Sequence, residues 1–373
     1  MKFDVSSTAL LSRLQSISKV IASKNPMPIM DCFLFELQSD KLIITASDID
    51  TRMVTSVGVS NVSGSGLFAV IAKNLLDPLK ELPEQPLNFE IDDDSLNILL
   101  HFENGKYSFS GKSADTYPQQ KPLSEENTTV SIESQTLLSG LSRSLFATAD
   151  DELRPVMNGV FFDINQENLT FVASDGHKLV RLSNLSIQSE SPASFILPKK
   201  PANILKGILS KETSIVEIKF DQNNAYVSCP NFEMVCRLIE GRYPNYNSVI
   251  PQENPYKVTI DRISLLNALK RVSVFSASSS LVKIHVNTNK LIVSAQDIDF
   301  STSAEETIVC SYDGSELKIG FKATFLIEIL SNIASEHIVF ELADPSRAGI
   351  ILPTENDENE ELLMLLMPMM LND

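Results

Sequence analysis

The chain is poor in the residues that most often build cofactor, metal and disulfide sites. It has no tryptophan, four cysteines and four histidines among 373 residues. The cysteines are Cys32, Cys229, Cys236 and Cys310; they stand far apart without CxxC spacing, and no histidines form an HxH or HxxxH pattern. Neither a zinc site nor a disulfide framework is indicated. We therefore expect reduced, structural cysteines and neither a catalytic metal nor a cofactor.

Long hydrophobic runs are also missing. The amino terminus, MKFDVSSTALLSRLQ, lacks a continuous apolar segment, and the most apolar run, LLMLLMPMML at 362–371, is too short to span a bilayer. We expect a cytoplasmic protein with no membrane partner. The length exceeds what one hydrophobic core usually serves, so two or three domains are expected. The net charge of −17 argues at first against nucleic acid, but it does not describe how charge is distributed.

Three segments of the chain repeat one pattern. They read DKLIITASDIDT at 40–51, ENLTFVASDGHK at 167–178 and NKLIVSAQDIDF at 289–300. The aligned aspartates, Asp48, Asp175 and Asp297, are separated by 127 and 122 residues. Each interval is long enough for a domain with its own core. Three similar domains are therefore predicted.

Two helical patterns recur with the same period. The first has paired leucines and reads TALLSRL, QTLLSGL and ISLLNAL, with Leu10, Leu137 and Leu265 aligned. The second follows a basic residue and reads AKNLLDPLKEL, KKPANILKGIL and FKATFLIEIL, with Lys73, Lys200 and Lys322 aligned. Three landmarks with one spacing are hard to attribute to chance, so two helices are predicted in each unit.

The remaining segments alternate apolar and polar residues between Asn, Asp and Gly turns, as in KLIITASDID and YVSCPNFEMVCRLI. Such alternation predicts about eight short antiparallel strands in each unit and an α+β fold with helices on one face of the sheets. The polar, proline-bearing stretches PLSEENTTVS and IPQENPYKV suggest the boundaries. The predicted domains are 1–125, 126–252 and 253–373.

Positive charge is concentrated in the predicted helices. Six helical windows together carry +9, which leaves −26 for the rest of the chain. Amphipathic helices often carry Lys and Arg only for solubility, and by itself the pattern does not decide between that interpretation and a functional one. A repeated unit with its helices on one side can, however, close into a ring. A ring lined by basic helices would hold a polyanion through its phosphates without reading bases.

The segment FVASDGHKLV places Asp175 beside His177, which suggests a general base oriented by a carboxylate. The sister copies keep the aspartate but have Ile and Asp where this copy has Gly176 and His177. The shared Asp is therefore interpreted as a turn element, because Asp side chains readily cap a turning backbone. A hydrolase built on this pair also lacks a nucleophile motif such as GxSxG, so no catalytic residue is predicted.

Several longer segments resemble one family. They are the opening MKF, NPMPIMDCFLFEL, MNGVFFDINQENLTFVASDGHKLVRL, LIEGRYPNYNSVIP and the terminal MPMML. Together they resemble the bacterial DNA polymerase III beta subunit, the sliding clamp, in register over essentially the whole chain. The resemblance implies a DNA clamp, in which three repeated domains each place two helices inside and antiparallel sheets outside. It also implies a head-to-tail homodimeric ring around duplex DNA, without enzymatic activity.

The resemblance further implies a groove between the second and third domains that binds a short linear motif. The motif would come from the replicative DNA polymerase alpha subunit, the clamp loader, repair polymerases and other clamp-motif proteins. Carried over residue by residue, the groove would use Met157, Ser174, Gly176, His177, Lys178, Leu179, Pro244, Ser248, Val249, Ala348, Leu365, Leu366, Met367, Pro368, Met369 and Met370. The alternative for the tail is a purely structural role as a core strand, with Leu363 and Leu365 facing inward and Pro368 ending the strand pairing.

Contacts with DNA and with a second copy follow in the same way. The resemblance places Lys24 and Lys73 at duplex-contacting positions, with Lys199, Lys200 and Arg154 as further candidates. At the subunit interface, Tyr107 and Phe109 of one copy would meet Val274 and Phe275 of the other. Exposed apolar sheet edges are a hazard in a monomer, and a dimer would cover them.

The sequence departs from the family at a few positions of the groove. Met370 stands where an Arg is common, and three more residues follow it. Ser248 and Ala348 are smaller or less basic than usual, so the preferred partner motif is expected to differ. A protein-binding scaffold that uses the Met-rich groove without encircling DNA stays open as the alternative function. Dimer affinity and the interface that opens during loading do not follow from the sequence.

Overall fold

Six α-helices lie at the positions of the repeated helical landmarks in the computed structural model, which describes residues 1–119, 123–124, 126–189, 191–276 and 278–371. They are α1 (Ser7–Ser18), α2 (Ala72–Glu81), α3 (Ser134–Ser144), α4 (Lys199–Leu209), α5 (Arg262–Val272) and α6 (Ala323–Ser331). Short 3-10 helices cover Pro28–Asp31, Leu145–Ala147, Pro155–Met157, Tyr246–Val249 and Ser273–Phe275. The aligned leucines Leu10, Leu137 and Leu265 are all fully buried, as their shared helical pattern predicts.

Twenty-five strands make up most of the rest of the described chain. In order they are β1 (Lys2–Ser6), β2 (Cys32–Leu37), β3 (Lys41–Ser47), β4 (Thr51–Gly58), β5 (Ser60–Ser63), β6 (Gly66–Ile71), β7 (Pro86–Ile91), β8 (Asn97–Phe102), β9 (Gly105–Ser110), β10 (Thr128–Glu133), β11 (Gly159–Ile164), β12 (Leu169–Ser174), β13 (Lys178–Asn184), β14 (Ala193–Pro198), β15 (Ile215–Phe220), β16 (Asn224–Cys229), β17 (Phe232–Arg237), β18 (Tyr256–Asp261), β19 (Leu281–Asn287), β20 (Lys290–Asp297), β21 (Thr302–Ser311), β22 (Leu317–Lys322), β23 (His337–Leu342), β24 (Gly349–Pro353) and β25 (Glu360–Leu366). The predicted α+β content is confirmed.

The chain divides into two compact units, Met1–Leu137 with Asn203–Leu238, and Leu138–Ala202 with Ile239–Asp373. The first unit holds a five-stranded sheet, β5-β1-β7-β8-β9, and an eight-stranded sheet, β10-β15-β16-β17-β4-β3-β2-β6. The second holds a twelve-stranded sheet, β14-β11-β12-β13-β25-β24-β23-β18-β21-β20-β19-β22. Their strand pairs are antiparallel, both between chain neighbours and between strands that lie far apart in the chain.

The three-domain boundaries proposed from the sequence stay predictions. The boundary at residue 125 lies outside the described residues, and the one at 252 falls between the 3-10 helix Tyr246–Val249 and β18, where no regular element is present. In the first unit α1 packs against α2, and in the second α5 packs against α6. No helix in the described part of the chain is long and apolar enough to cross a membrane.

Helix α1 buries one apolar face, and side chains cap the amino-terminal ends of α1 and α5. In α1 the side chains of Leu10, Leu14 and Ile17 are fully buried at the spacing of one helical face. Ser6 caps this helix, because its hydroxyl accepts a hydrogen bond from the Ala9 N–H at 3.1 Å. Asp261 caps α5 in the same way through the Ser264 N–H at 2.7 Å.

Candidate functional site

The three repeated aspartates close the same turn. In each copy one carboxylate oxygen accepts hydrogen bonds from the backbone N–H groups two and three residues later. The distances are 2.9 and 2.6 Å at Asp48, 2.8 and 2.9 Å at Asp175, and 3.0 and 3.2 Å at Asp297. The interpretation of the shared aspartate as a turn element is therefore confirmed.

Asp175 and His177 do not form a catalytic pair. Asp175 Oδ1 accepts the two backbone bonds of the turn, and Asp175 Oδ2 accepts the Lys178 ammonium at 2.8 Å. The carboxylate is therefore engaged by the turn and the lysine, whereas the His177 ring is exposed and stacks 5.9 Å from Phe325. An exposed ring without an orienting carboxylate suits a surface contact better than proton transfer.

Lys178, which the resemblance placed in the groove, has a buried side chain with 5% of its surface exposed. Its ammonium lies 2.8 Å from Asp175 Oδ2 and 3.1 Å from Glu328 Oε2, and 4.1 Å from the centre of the Phe325 ring. Lys322 approaches the same ring at 4.5 Å. We call Asp175, Lys178, Phe325 and Glu328 the lysine cluster. It attaches the loop that bears His177 to helix α6, and the Lys178 ammonium is enclosed within it.

The lysine cluster also changes the acidity of its aspartate. Burial raises the pKa of Asp175, but the bonds from the Lys178 ammonium and from the backbone N–H groups of Lys178 and His177 outweigh it and hold the pKa below its ordinary value. A carboxylate with a depressed pKa stabilises the fold above its unfolded pKa, and that contribution is lost as the pH falls through the folded value.

The repeat supplies a matched pair of substitutions to test the lysine cluster. Asp175→Asn keeps the oxygen that caps the turn but leaves the buried Lys178 with only Glu328, so we expect a loss of about 2–3 kcal/mol in unfolding free energy. Asp48→Asn makes the same change where Thr51 replaces the lysine, and about 0.5 kcal/mol is expected there. Urea unfolding at neutral pH measures both, and equal losses at the two sites would contradict the cluster. Below about pH 4 the difference between wild type and Asp175→Asn should shrink.

Several predicted groove residues form a buried wall in the second unit. Leu179, Ala348 and Leu365 belong to one buried apolar cluster, and Met157 is also buried. Leu366 is fully buried, and Ser174 uses its hydroxyl to bond the Lys178 carbonyl at 2.9 Å. Because these side chains are buried, they offer little surface of their own to a partner.

The remaining predicted groove residues are at the surface or near it. Gly176, His177, Pro244 and Ser248 are exposed, Pro368 and Met369 are partly buried, and Val249, Met367 and Met370 expose 56%, 41% and 77% of their surfaces. Apolar side chains exposed to this degree are available for a partner. The structure thus separates the predicted set into a buried wall and an exposed rim.

Tyr243 and Val156 belong to this apolar cluster and were missed by sequence reasoning. Tyr243 is buried and stacks on Phe161, with ring centres 4.7 Å apart. Tyr246 donates its hydroxyl to Asp163 Oδ2 at 2.8 Å. The signal that could have found Tyr243 is the aromatic pair in GRYPNY, whereas no local signal indicates Val156.

The tail after β25 stays attached to the His177 loop. The Met367 N–H donates to the His177 carbonyl at 2.8 Å, and the Met369 N–H donates to the Gly320 carbonyl at 2.8 Å. Leu363 and Leu365 are buried, and β25 ends at Leu366, as the core-strand interpretation of the tail requires. Core strand and groove rim are therefore consecutive parts of one segment.

The predicted DNA-contacting residues are found on both units. Lys24 and Lys73 are exposed on the first. On the second, Lys199 pairs with Asp150 at 3.0 Å and Lys200 follows it at the start of α4.

Arg154 pairs with Asp151 at 2.8 Å, and its guanidinium lies against Gly176, where an added Cβ would come within 3.0 Å of it. Gly176 has φ of +89°, a conformation that glycine adopts without strain. Arg154 thus lies against the turn that Asp175 caps.

The predicted interface residues lie at sheet edges or on a short helix. Tyr107 and Phe109 are partly exposed on β9, which is the edge strand of the five-stranded sheet. Val274 and Phe275 form part of a 3-10 helix after α5 and expose 78% and 40% of their surfaces.

Metal or thiol chemistry has no support in the described residues. No group of three or more His, Cys, Asp or Glu side chains there could hold a metal ion. All four cysteines are free, and burial raises the pKa of the Cys236 thiol to about 12. A thiol with a raised pKa is a poor nucleophile, which agrees with a structural role.

Three models of one family match successive parts of the chain. The N-terminal domain of the DNA polymerase III beta subunit matches residues 1–121, its central domain matches 131–245, and its C-terminal domain matches 247–369. The chain belongs to the DNA polymerase III beta subunit family. The resemblance predicted from the sequence is confirmed, as is the expectation of a sliding clamp without catalytic activity.

Individual members of the family agree over their full length. A beta sliding clamp from Pseudomonas putida is 26% identical over 368 residues, which cover 98% of this chain and 99% of the relative. The solved DNA polymerase sliding clamp of Pseudomonas aeruginosa has 25% identity and a TM-score of 0.91, with 100% of both chains covered. The solved DNA polymerase III beta subunit of Thermotoga maritima has 26% identity and the same TM-score and coverage. The predicted clamp fold is confirmed.

Proposed function

We propose that two copies of the chain form a ring that encircles duplex DNA in the cytoplasm without sequence preference. The ring tethers the replicative DNA polymerase alpha subunit and also binds the clamp loader, repair polymerases and other clamp-motif proteins. The partners bind through the groove between the His177 loop and the tail after β25. The proposal rests on family membership together with three features of this chain, which concern the sheet edges, the helices and the groove.

The observation that carries the proposal is that two strand edges have no partner strand within the described residues. The first two repeats are joined by the antiparallel pair β4–β17, and the last two by the pair β13–β25. The corresponding strands of the third junction are β21 and β9. Within the described residues β9 pairs only with β8, and β21 over Thr302–Val309 pairs only with β20. A second copy, placed head to tail, supplies the missing partner to both edges.

The helices support a polyanion as the ligand. None of the six α-helices has an acidic residue in its first turn, although the chain carries 48 acidic residues. Acidic side chains normally favour that position because the helix dipole is positive there. The amino-terminal ends of α1 and α5 are bonded by the Glu84 and Asp261 carboxylates, whereas the start of α2 has no side-chain cap. Lys73 at the start of α2, and Lys199 and Lys200 at the start of α4, add positive charge that suits phosphates. Contacts made to phosphates alone would allow sliding, since they carry no sequence information.

The groove supports a peptide as the second ligand. Its rim exposes Val249, Met367 and Met370, and methionine adapts to several apolar partners. The buried wall and the lysine cluster hold this rim in place before any ligand arrives. A preformed groove of this kind suits a short segment that exchanges between partners.

The test compares retention on circular and linear DNA. The chain, loaded by a clamp loader on nicked circular DNA, should remain bound through gel filtration and should be lost once the circle is cut. Charge reversal at Lys24, Lys73 and Lys200 should lower loading by about tenfold, since roughly three phosphate contacts are lost. Reversal at Lys41, Lys283 and Lys290, which lie on strands, is the matched control. Equal retention on both DNA forms would contradict the ring, and unimpaired peptide binding without any DNA loading would favour a scaffold.

A further inference from the structure

A cleft in the first unit contains residues to which the proposed function gives no role. It has a volume of about 830 Å³ and lies between one face of α1, the end of β4 and the carboxy-terminal end of α4 with the residues that follow it. Its lining includes Arg13, Lys19, Gly207, Lys211 and Glu212. All of them belong to the same compact unit.

The cleft gathers positive charge in a strongly acidic chain. Four cationic side chains line it, Arg13, Lys19, Lys80 and Lys211, against one carboxylate, Glu212. Lys80 is paired with Asp77 at 3.2 Å. Lys19 and Lys211 have no carboxylate within ion-pair distance in the described part of the chain.

The single acid of the cleft is held by an amide instead of a lysine. Asn231 donates from Nδ2 to Glu212 Oε1 at 2.8 Å and accepts from Arg13 Nη2 at 2.9 Å. The amide thus fixes one guanidinium nitrogen and one carboxylate oxygen. Arg13 keeps further N–H donors in its planar fork, which suit a planar or tetrahedral oxyanion.

A glycine makes room for one of the lysines. Gly207 lies in the last turns of α4, where glycine costs about 1 kcal/mol relative to alanine. A Cβ added there would stand 2.7 Å from Lys19 Nζ, too close for the ammonium to stay in place. The helix therefore has a glycine at the point where the Lys19 ammonium crosses it.

We propose that this cleft binds a phosphate group. A doubly charged oxyanion would compensate Lys19 and Lys211 together and would accept from the Arg13 fork. The phosphate could belong to a DNA backbone or be free inorganic phosphate. In the first case the inference rests on the proposed function, and in the second it stands without it.

The test uses Lys19→Gln with Lys211→Gln, in the full chain. The matched control is Lys41→Gln with Lys290→Gln. Both lysines are exposed on strands and have no carboxylate within ion-pair distance in the described part of the chain, and their substitution changes the net charge equally. For a 20-base-pair duplex we expect about tenfold weaker binding for the cleft variant, and a slope of log K against log salt that is shallower by about 2. The control should keep the wild-type slope within error.

Inorganic phosphate is the second probe, compared with chloride at equal ionic strength. If the site takes the free anion, wild type and control gain thermal stability in phosphate and the cleft variant gains less, because only a bound ligand adds to the general salt effect. A change with the duplex alone assigns the site to a DNA backbone. No difference between cleft variant and control with either probe overturns the proposal, even if the ring and the peptide groove behave as proposed.

Gly207→Ala gives an independent check that does not alter charge. The substitution should raise or preserve thermal stability, because alanine favours the helix, while it weakens phosphate or duplex binding about threefold by displacing the Lys19 ammonium. Unchanged binding in a stable Gly207→Ala protein would count against the role of Lys19 in the cleft.

Discussion

Cysteines introduced at Tyr107 and Ala304 are expected to join two copies of the chain, with one disulfide at each interface, into a product of about twice the 41.2 kDa chain mass. The expectation follows from the proposed ring and from the internal repeat, which predicts the register of β9 against β21 of a second copy. Non-reducing electrophoresis after mild oxidation measures it. Nearly complete conversion is expected, because the two positions are opposed in every ring.

The register is obtained from the first junction. There β4 pairs with β17 so that Met53 faces Met234 and Thr51 faces Cys236. The hairpins β8–β9 and β16–β17 have equal lengths and lie 127 residues apart, so Tyr107 occupies the place of Met234. These equivalences determine the β9 side of the predicted pair.

The β21 side needs a correction for loop length. The Asp48 N–H donates to the Thr51 carbonyl across the first turn, whereas Asp297, the equivalent aspartate, pairs with Thr302 in the third copy. Two residues are therefore added in the third loop. Thr302 takes the place of Thr51, and Ala304 takes the place of Met53. Tyr107 is thus predicted to face Ala304.

The alternation of hydrogen bonds makes this pair suitable for a disulfide. The Arg237 N–H donates to the Asp50 carbonyl at 2.8 Å, and the Met367 N–H makes the equivalent bond to His177. The pair formed by Met53 and Met234, three positions further along, is therefore a non-hydrogen-bonded pair. Such pairs bring Cα atoms to about 4.5 Å, within the range that a disulfide spans.

The control places the second cysteine at Ser303, whose side chain points to the opposite face of β21. Tyr107→Cys alone measures any reaction with the native Cys229, which is the one native cysteine that is not buried. A dimer by mass that crosslinks only through Ser303 would show that the register is wrong. A chain that stays monomeric at micromolar concentration would contradict the proposed ring itself.

Local patterns predicted a large part of this fold from the sequence. The six helices and the turn role of Asp48, Asp175 and Asp297 depend on residues that lie close together in the chain, and a helical face or a capped turn leaves a direct mark there. Each of these local patterns also occurs three times in the chain, which makes it easier to recognise. Tyr107 and Phe109, which the resemblance placed at the subunit interface, lie on the edge strand β9.

The parts that sequence reasoning missed depend on partners far apart in the chain. Lys178 was expected in the groove, but Phe325 and Glu328, about 150 residues later, enclose its ammonium, and no local pattern connects them. Lys19 and Gly207 are separated in the same way. Arg154 is predicted as a further DNA contact, and its guanidinium lies against Gly176. These contacts join residues that no local pattern connects.

Removing the exposed methionine side chains of the groove should weaken binding of a fluorescent peptide with the sequence of the polymerase carboxy terminus. Met367→Ala with Met370→Ala removes two apolar contacts, each contributing about 1 kcal/mol when covered by a ligand. Affinity should therefore fall, with Kd rising roughly 30-fold. Fluorescence anisotropy measures the change. Because both side chains expose much of their surface, thermal stability should hardly change.

Deleting residues 368–373 tests the same rim more severely. The deletion also removes the bond from the Met369 N–H to the Gly320 carbonyl, so the end of β25 loses its anchor and a larger loss than 30-fold is expected. The matched control is Leu67→Ala with Ile215→Ala, which removes two comparably exposed apolar side chains from the first unit. Unchanged affinity after both groove variants would refute the tail assignment. An equal loss of affinity in the control would mean that peptide binding follows general apolar exposure. Only a loss confined to the groove variants would assign the peptide to the exposed rim.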